Sequence, residues 1–467
     1  MTNDEFRHYG HQLVDWMADY LANIRDYPVL TSMHPGELVD KLPVSAPEQG
    51  ESMDAILEDF EREIIPAMTH WNHPRFHAYF SISGSPPGIL AEMLIATLNS
   101  NGMLWKSCPA LTELEQVTLS WLRQWLGLPP DLFGIIYDTA SVSTMHAIAA
   151  AREMVDPEAR TRGGNGALTL YTSEHAHSSI EKGAITLGIG QENVRLIPVD
   201  ENFRMRVDVL RARMEEDRRA GKKPFCVVPT VGTTSTSSID PVRAIAEIAA
   251  EHSAWLHVDA AYGGAAAVLP ELRGVLAGVE LAHSLVVNPH KWLFTPIDLS
   301  VFYTSRPDIL RRAFSLVPEY LKTAEDPRAL NYMDYGVQLG RRFRALKLWF
   351  VMRHYGHEGI CRILRSHISY AQRLANLIRE HPDFEIAAPT PFSLVCFRYL
   401  GSDDDNRALL EKVNASGKAF LSHTVLNGRF VLRLAIGNIQ TQWEDLEEVW
   451  KLVRGSVPAA ASSNGSG

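Results

Sequence analysis

The chain has 467 residues, of which 46% are apolar and 21% are charged, proportions typical of a globular enzyme. Its formal net charge of -10 argues against a nucleic-acid-binding surface, because phosphate backbones require concentrated Lys and Arg. No run of about 18 apolar residues predicts a membrane span, and the first residues, MTNDEFRHYG, lack a signal-peptide pattern. We therefore expect a soluble, cytoplasmic protein with two or three structural units.

Cysteine usage argues against disulfides and against a zinc site. The four cysteines have no CxxC spacing, and most stand in apolar sequence: Cys108, Cys226, Cys361 and Cys396. This pattern is typical of buried, reduced thiols. We expect no metal centre.

The first 85 residues are predicted to form a helical extension ahead of the main fold. Residues 4–25 place apolar side chains such as Phe6, Trp16 and Tyr20 on one helical stripe, and residues 53–65 form a second helical pattern. These apolar faces need a partner surface. The sequence leaves open whether that partner is the chain's own domain or a second subunit.

Residues 86–340 are predicted to form a large α/β domain, because short β-rich runs alternate there with helical patterns. The predicted strands are 132–137, 167–171, 194–198, 225–231, 255–258, 284–287 and 299–303, and the predicted helices are 142–155, 207–218 and 242–252. Alternation on this scale indicates a mostly parallel sheet with helices on both faces.

A small α+β domain is predicted over residues 341–454. Its predicted helices are 341–355, 357–379, 406–414 and 442–452, and its predicted strands are 384–387, 392–398 and 430–436. The tail, 455–467, is rich in Ala, Ser and Gly and is expected to be disordered.

The most informative motif reads SLVVNPHKW and spans residues 284–292. A short apolar strand leads directly into Asn288, His290 and Lys291, which places an ammonium group between an imidazole and an indole. A partly desolvated lysine loses its proton readily, and the neutral amine is the form that attacks an aldehyde. The alternative is a lysine with ordinary solvation at the mouth of a strand.

A second motif, WLHVDAAYGG at residues 255–264, places Asp259 at the end of another buried strand. Because open α/β sheets bind ligands beyond the carboxyl ends of their strands, Asp259 and Lys291 suit one crevice. Pyridoxal phosphate requires this pair, a lysine for the Schiff base and an acidic residue beside the pyridinium nitrogen. The alternative for Asp259 is a helix cap beside a tightly packed turn.

Several motifs in a fixed order carry a family resemblance. They are HPRFHAYF at 73–80, CPALTELE at 108–115, TASVST at 139–144, AHSS at 176–179, VGTTSTSSID at 231–240, HVDAAYGG at 257–264, NPHKW at 288–292 and LGRRFRALKLW at 339–349. From about residue 4 to 454 the chain resembles the group II pyridoxal-phosphate-dependent amino-acid decarboxylases, and among them the aromatic L-amino-acid decarboxylases. The resemblance implies the type I, aspartate aminotransferase-like fold. It also implies a homodimer with active sites at the subunit interface, in which the N-terminal segment wraps around the second subunit.

The same resemblance assigns residues to pyridoxal 5'-phosphate. Ala140 and Ser141 are expected to contact the phosphate at a helix start, where N–H groups and the helix dipole attract anions; a simple helix cap is the alternative for Ser141. Many family members have glycine at the position of Asp138, and a carboxylate there repels phosphate unless it points away. The other expected cofactor contacts are His177, Thr234, Asp259, Ala261, Asn288, His290 and Lys291.

Decarboxylation also needs a group that returns a proton to Cα. Tyr320, within a segment at 316–334 that suits a mobile lid, aligns with the tyrosine that relatives use as the proton donor, although Val317 replaces their usual aspartate. Tyr332 is the competing donor, and a packed core tyrosine is the alternative. By resemblance, His177 stacks on the cofactor ring close to the leaving carboxylate. The predicted catalytic residues are Lys291, His177, Tyr320 and Asp259.

The substrate side chain is expected in an aromatic-lined pocket, which prefers indole or phenol rings to a second carboxylate. By resemblance, Met103 comes from the other subunit, and core packing is the alternative for the whole set. Gly340 leaves more room than serine and weakly favours indolic substrates. Arg433 aligns with an arginine near the active site, with a structural salt bridge as the alternative. The predicted pocket residues are Trp71, Tyr79, Phe80, Ile82, Met103 and Gly340.

The leading hypothesis is therefore an aromatic L-amino-acid decarboxylase, a carbon–carbon lyase that releases arylalkylamines and CO₂. A glutamate-type decarboxylase or an aromatic aldehyde synthase would keep the cofactor and change the reaction. Relatives with phenylalanine at the donor position tend toward oxidative deamination, so Tyr320 favours plain decarboxylation. A catalytically silent binding protein of the same fold is the third hypothesis, and the complete catalytic set speaks against it.

Overall fold

The computed structural model describes residues 1–164, 166–316 and 329–457. These residues form two compact units. The first contains Met1–Ser81, Asn376–Ala387 and the described residues from Cys396 onward, and the second contains Ile82–Ala375 and Ala388–Val395. The domain boundaries predicted at residues 85, 340 and 454 stay predictions.

The helices follow the predicted patterns, with additional ones in the regions left unassigned. In chain order they are α1 (Asn3–Ala22), α2 (Glu37–Lys41), α3 (Met53–Asp59), α4 (Pro86–Leu98), α5 (Pro109–Trp125), α6 (Ala140–Val155), α7 (Ala159–Arg162), α8 (Ser179–Thr186), α9 (Val207–Arg219), α10 (Val242–Glu251), α11 (Pro289–Trp292), α12 (Pro307–Phe314), α13 (Ala345–Arg379), α14 (Asp403–Ala415) and α15 (Trp443–Gly455). The two helices predicted at 341–355 and 357–379 are confirmed: α13 consists of two helices that meet at a kink, and the first starts four residues later than predicted. Its helical path is interrupted at Gly356, where φ is 63°.

Within the described residues, the main sheet of the larger unit has seven strands: β1 (Phe133–Tyr137), β2 (Leu168–Ser173), β3 (Val194–Ile197), β4 (Lys223–Val228), β5 (Trp255–Asp259), β6 (Ser284–Val287) and β7 (Ser300–Thr304). Their order across the sheet is β1-β7-β6-β5-β4-β2-β3. Strands β2 to β6 pair in parallel, whereas β7 is antiparallel to both β1 and β6. The prediction of a mostly parallel sheet is confirmed.

The core of this unit lies between the sheet and helices α6, α8 and α12. Small residues on α6, including Ala147, Ala150 and Ala151, let the helix approach large sheet residues such as Phe225 and Phe302. Every residue of β5 and β7 is buried, as expected for strands covered on both faces. Burial on both faces explains why these strands read as continuous apolar runs.

The smaller unit is built around an antiparallel sheet with the order β10-β11-β9-β8. Its strands are β8 (Phe384–Ile386), β9 (Leu394–Tyr399), β10 (Ser422–Leu426) and β11 (Arg429–Ala435). Helices α1, α2, α3, α14 and α15 belong to this unit. The prediction of a small α+β element near the C-terminus is confirmed.

Two properties of the described residues concern membrane insertion and metal binding. Across 1–164, 166–316 and 329–457, no helix has both the length and the hydropathy needed to cross a bilayer. Over the same residues, no group of three or more His, Cys, Asp or Glu side chains could hold a metal ion. All four cysteines are free, and all but Cys108 are buried.

Candidate active site

The carboxyl ends of five strands open on one edge of the main sheet. Strands β2, β4, β5 and β6 are parallel, and β1 shares their direction because β7 is antiparallel to both β1 and β6. Ligands of open α/β sheets bind at this edge. All the predicted cofactor residues lie at or just after the carboxyl ends of these strands. They are Ala140 and Ser141 after β1, His177 after β2, Thr234 after β4, Asp259 and Ala261 at the end of β5, and Asn288, His290 and Lys291 after β6.

Asp259 and Lys291 stand on adjoining segments. Asp259 pairs in register with Val286 of β6, five positions before Lys291. The carboxylate of Asp259 is buried, and its Oδ1 accepts a hydrogen bond of 3.1 Å from the N–H of Ala261. The carbonyl of Ala261 in turn accepts a bond of 3.1 Å from the N–H of Asn288. These bonds hold the segment that carries the aspartate against the segment that carries the lysine.

The surroundings of Lys291 favour its reactive form. Burial lowers the pKa of the ammonium, because the charged form is poorly solvated there, and the carboxylate of Asp259 opposes this shift. The lysine is therefore poised toward the neutral amine, which is the nucleophile. This setting differs from that of a solvated surface lysine, the alternative left open by the sequence.

His177 is held just before α8 by its own ring nitrogen. Its Nδ1 accepts a hydrogen bond of 3.1 Å from the N–H of Ser179, so the neutral ring carries its proton on Nε2. Desolvation and the ammonium of Lys291 lower the pKa of His177, whereas Asp259 raises it. The charges of Lys291 and Asp259 thus both act on the imidazole of His177. The three predicted catalytic residues therefore lie at one site.

Two glycines bring the segments after β4 and β5 into backbone contact. Gly232 has φ of +87°, and a Cβ atom on it would lie 2.8 Å from the N atom of Gly263. A Cβ atom on Gly263 would lie 2.6 Å from the carbonyl oxygen of Val231. Only glycine fits at both positions. Through this close approach, the segment that leads to Thr234 runs beside the residues that follow Asp259.

The start of α6 is arranged to receive an anion. Thr139 occupies the cap position without a side-chain hydrogen bond to the helix, so the N–H groups of the first turn and the helix dipole can act on a ligand. Ser141 is the second residue of α6 and not its cap. Asp138, the departure from the family pattern, has both oxygens engaged, since Oδ1 accepts from the N–H of Thr139 at 2.6 Å and Oδ2 accepts from Nε2 of Gln338 at 3.2 Å.

The three residues before Lys291 include the buried amide of Asn288. The N–H of Leu299 donates to Nδ1 of His290 at 2.9 Å. The Nε2 atom of His290 lies 3.4 Å from one amide position of Asn288, and the other amide position is buried with no hydrogen-bond partner among the described residues. Buried polar atoms are normally paired, so this position indicates where a bound ligand completes the site.

An ionic network beside this corner was missed by the sequence analysis. Arg344 donates two hydrogen bonds of 3.0 Å to the carboxylate of Asp298. The fully buried ammonium of Lys347 lies 2.5 Å from Glu92 and 4.0 Å from Asp298. Both basic residues belong to the motif LGRRFRALKLW, and a lysine on the apolar face of that helix was the signal that could have identified them.

Ile82, a predicted substrate residue, lies near the segment that follows Lys291. Three residues after Ile82, the hydroxyl of Ser85 donates to the carbonyl of Phe294 at 2.7 Å, and Phe294 is the third residue after Lys291. The structure thus brings the chain around Ile82 to the segment that leaves the lysine.

Met103 and Gly340 lie on adjoining segments. The Oδ1 atom of Asn101 accepts hydrogen bonds from the N–H groups of Met103 at 3.2 Å and of Arg341 at 3.0 Å. A Cβ atom on Gly340 would have no neighbour nearer than 3.6 Å, again from Asn101. A Cβ atom at this position would therefore make ordinary van der Waals contact with Asn101, and the contribution of Met103 to a second subunit stays a prediction.

The aromatic residues of the predicted pocket form a cluster in the smaller unit. Trp71 and Tyr79 stack with ring centroids 5.8 Å apart, and the guanidinium of Arg433 lies 5.4 Å from the ring centroid of Phe80. Tyr79 is exposed and has φ of 54°. The role of these residues in substrate binding stays a prediction.

The two candidate proton donors have different outcomes. Tyr320 and Val317 lie outside the described residues, so the role of Tyr320 stays a prediction. Tyr332 is only 1% exposed. Its hydroxyl donates to the carbonyl of Gly134 at 3.4 Å, and the guanidinium of Arg341 lies 4.4 Å from its ring centroid. Tyr332 is therefore a packed core residue.

Comparison with known proteins identifies the family. Residues 35–400 match the family described as "Pyridoxal-dependent decarboxylase conserved domain". The chain belongs to this family. It is similar to the phenylacetaldehyde synthase of Arabidopsis thaliana, with 40% identity and coverage of 97% of this chain and 96% of that protein. It is also similar to the aromatic-L-amino-acid decarboxylase of Cavia porcellus, with 40% identity and coverage of 97% and 98%.

Solved structures agree with this assignment. The crystal structure of Oryza sativa TDC with PLP and tryptamine superposes with a TM-score of 0.95 at 35% identity, and the match covers 98% of both chains. The predicted resemblance to aromatic amino-acid decarboxylases, the type I fold and the cofactor, pyridoxal 5'-phosphate, are confirmed. This pyridoxal-phosphate decarboxylase family contains close relatives with two different reactions, a decarboxylase and an aldehyde synthase.

The described residues fit pyridoxal 5'-phosphate. The N-terminus of α6 and the unpartnered amide of Asn288 would hold the phosphate, Asp259 would hold the ring nitrogen, and Lys291 would bind the aldehyde carbon. When bound, the cofactor supplies a pyridinium ring that accepts the electrons of a bond broken at Cα. The buried carboxylate of Asp259 would stabilise the proton on the ring nitrogen, because it would place a negative charge beside it in a medium of low dielectric constant.

Proposed function

We propose that this protein decarboxylates aromatic L-amino acids to arylalkylamines and CO₂. The observation that carries the proposal is the meeting of Lys291, Asp259 and His177 at one edge of the sheet, where the charges of the first two act on the third. The names of the two relatives, an aromatic-amino-acid decarboxylase and a phenylacetaldehyde synthase, support an aromatic side chain over a second carboxylate.

Each residue has a separate task in this reaction. Lys291 would hold the cofactor through its side-chain nitrogen and yield it to the amine of the substrate. Asp259 would keep the cofactor's ring nitrogen protonated, which is the state in which the ring accepts electrons. A neutral His177 can donate from Nε2 without the positive charge that would stabilise the carboxylate in the ground state. Tyr320 then returns a proton to Cα.

By the family resemblance, the residues proposed to contact the substrate side chain are Trp71, Tyr79, Phe80, Ile82, Met103 and Gly340. Gly340 is proposed to set the preference between ring types, because a serine side chain there would occupy space next to Asn101. Gly340→Ser is expected to lower kcat/KM for tryptophan relative to tyrosine. A Gly340→Ala variant separates the effect of volume from that of the hydroxyl.

An aromatic aldehyde synthase is the second candidate, because a synthase is 40% identical to this chain. Plain decarboxylation yields only amine and CO₂. The oxidative route consumes O₂ and water and yields aldehyde, CO₂, ammonia and hydrogen peroxide. Tyr320 supports the plain route, since protonation of Cα by its hydroxyl competes with oxidation at that carbon.

Product analysis tests the proposal. Tryptophan, tyrosine, dopa, phenylalanine and glutamate would each be supplied to the holoenzyme, with CO₂, amine, aldehyde and peroxide measured together. We expect one amine for each CO₂ from aromatic substrates, without peroxide. Stoichiometric aldehyde and peroxide would identify a synthase, and turnover of glutamate alone would identify a non-aromatic decarboxylase.

We also propose that the protein is a homodimer. Helix α1 has no buried residue, and Phe6 is 65% exposed. Helix α4 exposes a row of apolar side chains on successive turns, Leu90, Leu94 and Leu98, and such faces are typical of subunit interfaces. Sedimentation should give a dimer, and Leu94→Glu should shift it toward monomer. A wild-type monomer at micromolar concentration would contradict the proposal.

A further inference from the structure

The hydrogen bonds around His290 fix the position of its proton. An imidazole nitrogen that accepts a hydrogen bond carries no proton, and Nδ1 accepts from the N–H of Leu299 at 2.9 Å. The ring is therefore neutral, with its proton on Nε2. Burial and the ammonium groups of Lys291 and Lys347 lower the pKa of His290 to about 3, which agrees with a neutral ring.

This arrangement decides the orientation of the Asn288 amide. The Nε2 atom of His290 lies 3.4 Å from the atom assigned as the amide nitrogen of Asn288. Because this Nε2 can only donate, we exchange the amide oxygen and nitrogen so that the oxygen faces it. The two orientations of an amide differ by a half-turn, and the surrounding hydrogen bonds select between them. The NH₂ group of Asn288 then occupies the buried position that has no partner among the described residues. A buried NH₂ group in this position is a donor for an anion.

Asp298, the residue before Leu299, helps to keep the backbone N–H of Leu299 in hydrogen-bonding position against His290. Asp298 is bound by both arms of the Arg344 guanidinium at 3.0 Å, and the Lys347 ammonium lies 4.0 Å from it. Bidentate pairs of this kind fix direction as well as distance. Lys347 belongs to α13 and Arg344 lies one residue before that helix, so both hold the Asp298–Leu299 peptide against the start of α13.

We propose that Asp298 is a positioning residue for the cofactor phosphate. Clamped by Arg344 and Lys347, it keeps the N–H of Leu299 on His290, and through that ring it turns the NH₂ group of Asn288 toward the phosphate. A donor that is already oriented loses less conformational freedom when the ligand binds. The benefit falls on the phosphate and not on the pyridine ring. The inference rests on the family's cofactor and is independent of the proposed substrate.

Cofactor binding by an Asp298→Asn variant of the full-length enzyme tests the proposal. Dissociation constants would be measured for pyridoxal 5'-phosphate and for pyridoxal, which lacks the phosphate. We expect about tenfold weaker binding of pyridoxal 5'-phosphate, equivalent to about 1.4 kcal/mol, and a change of less than about twofold for pyridoxal. Equal weakening of both ligands, or no weakening of either, would overturn the proposal.

Glu271→Gln is the matched control. Glu271 accepts two hydrogen bonds from Arg365, at 2.6 and 2.9 Å, and Arg365 lies on α13. This pair has the same chemistry and makes no hydrogen bond to the segment around His290. We expect both dissociation constants to remain at the wild-type values.

A measurement on the wild-type protein keeps the proposal testable if Asp298→Asn does not fold. ¹⁵N NMR of histidine-labelled apoprotein reports which ring nitrogen carries the proton, and His290→Gln identifies the signal. We expect His290 to be neutral with the proton on Nε2 at pH 7. A proton on Nδ1, or a cationic ring, would remove the basis for the proposed orientation of Asn288.

Discussion

The indole of Trp292 stacks on the phenol ring of Tyr262, with ring centroids 5.0 Å apart and an angle of 12° between the planes. Trp292 follows Lys291 directly, and Tyr262 stands three residues after Asp259, so the stack joins the two charged sides of the site. The hydroxyl of Tyr262 is also hydrogen-bonded to Ser393. Packing of these two rings therefore helps to fix the position of the lysine relative to the aspartate.

Tyr262→Leu should lower kcat more than it lowers cofactor affinity. Loss of the stack allows small displacements of Lys291, and a misplacement of about 1 Å can cost about 100-fold in rate. We expect kcat to fall at least about tenfold while the cofactor still binds covalently, as measured by its absorbance. Tyr262→Phe keeps the stack and loses only the hydroxyl bond, so its kcat should remain within about threefold of wild type. Equal losses in both variants would point to the hydroxyl.

Asp259→Asn should separate covalent cofactor binding from turnover. The amide cannot stabilise a charged ring nitrogen, and we expect kcat to fall by about 1,000-fold. The pKa of Lys291 should fall further, because Asp259 raises it in the native enzyme, so the bond between lysine and cofactor should still form at pH 7. Absorbance and single-turnover rates provide the two measurements.

Asp217→Asn controls for the loss of a buried carboxylate in the same unit. Asp217 accepts hydrogen bonds from Arg195 at 2.8 and 2.9 Å and from Tyr171 at 2.7 Å, away from the predicted catalytic residues. Its replacement should lower the thermal midpoint and leave kcat unchanged. A similar loss of kcat in both variants would assign the effect of Asp259→Asn to stability.

Tyr320→Phe should redirect the reaction without abolishing it. Removal of the hydroxyl leaves Cα without its proton donor, so oxidation by O₂ becomes competitive. We expect aldehyde, ammonia and peroxide to replace most of the amine, with CO₂ still released. Tyr332→Phe is the control, since Tyr332 is a buried core residue, and its products should match those of wild type. An unchanged ratio of amine to aldehyde in Tyr320→Phe would reject its assigned role.

The sequence predicts the strands of the larger unit well because they are buried on both faces. The predicted strand at 284–287 matches β6, and the predicted strand at 255–258 falls one residue short of β5. The antiparallel direction of β7 was not predictable, since a buried strand reads the same in either direction. Helices α4 and α5 were not assigned, although each starts with a proline that suits a first turn.

The residues of the candidate site likewise fall into those that the sequence identifies and those that it does not. Lys291, Asp259 and His177 could be found because each follows a strand within a distinctive motif. Asp298 could not, because its role depends on contacts with residues that are distant in sequence, and the signal for Lys347 was a lysine on the apolar face of a predicted helix. Tyr332 resembled a catalytic residue until its packing on Gly134 was known. Local patterns thus identify the residues that touch the cofactor better than those that position them.

Gly232→Ala should destabilise the larger unit more than an otherwise similar substitution. Gly232 and Gly188 both have positive φ, +87° and +72°, but a Cβ on Gly232 meets the backbone of Gly263 whereas one on Gly188 meets nothing within 4 Å. Both alanines carry the backbone strain of about 1 kcal/mol, and only Gly232→Ala adds a clash. We expect a clearly larger fall in urea midpoint for Gly232→Ala, together with weaker cofactor binding. Equal midpoints would show that the contact relaxes freely.

Stability should fall as the pH is lowered from about 6.5 to about 4. Burial lowers the pKa of His257 from 6.5 to about 4, so the unfolded chain takes up a proton in this range before the native protein does. By linkage, the free energy of unfolding therefore decreases toward acid, by about 3 kcal/mol for this residue. His257→Gln should flatten the dependence of the urea midpoint on pH below 6.5 and leave it unchanged above 7. Identical slopes below pH 6.5 would contradict the assignment.

The pairing of β1 with β7 has a consequence for folding during synthesis of the chain. The two strands are hydrogen-bonded along their whole length, from Phe133 opposite Thr304 to Tyr137 opposite Ser300, although β2 to β6 lie between them in the chain. The turn after β1, which we propose to bind the cofactor phosphate, therefore leaves the ribosome long before its neighbouring strand is synthesised. A nascent chain that stops short of Ser300 contains most of the residues proposed to bind pyridoxal 5'-phosphate. It lacks β7, the strand that pairs with β1. Capture of the cofactor is thus a late event, which reports that the whole larger unit has folded.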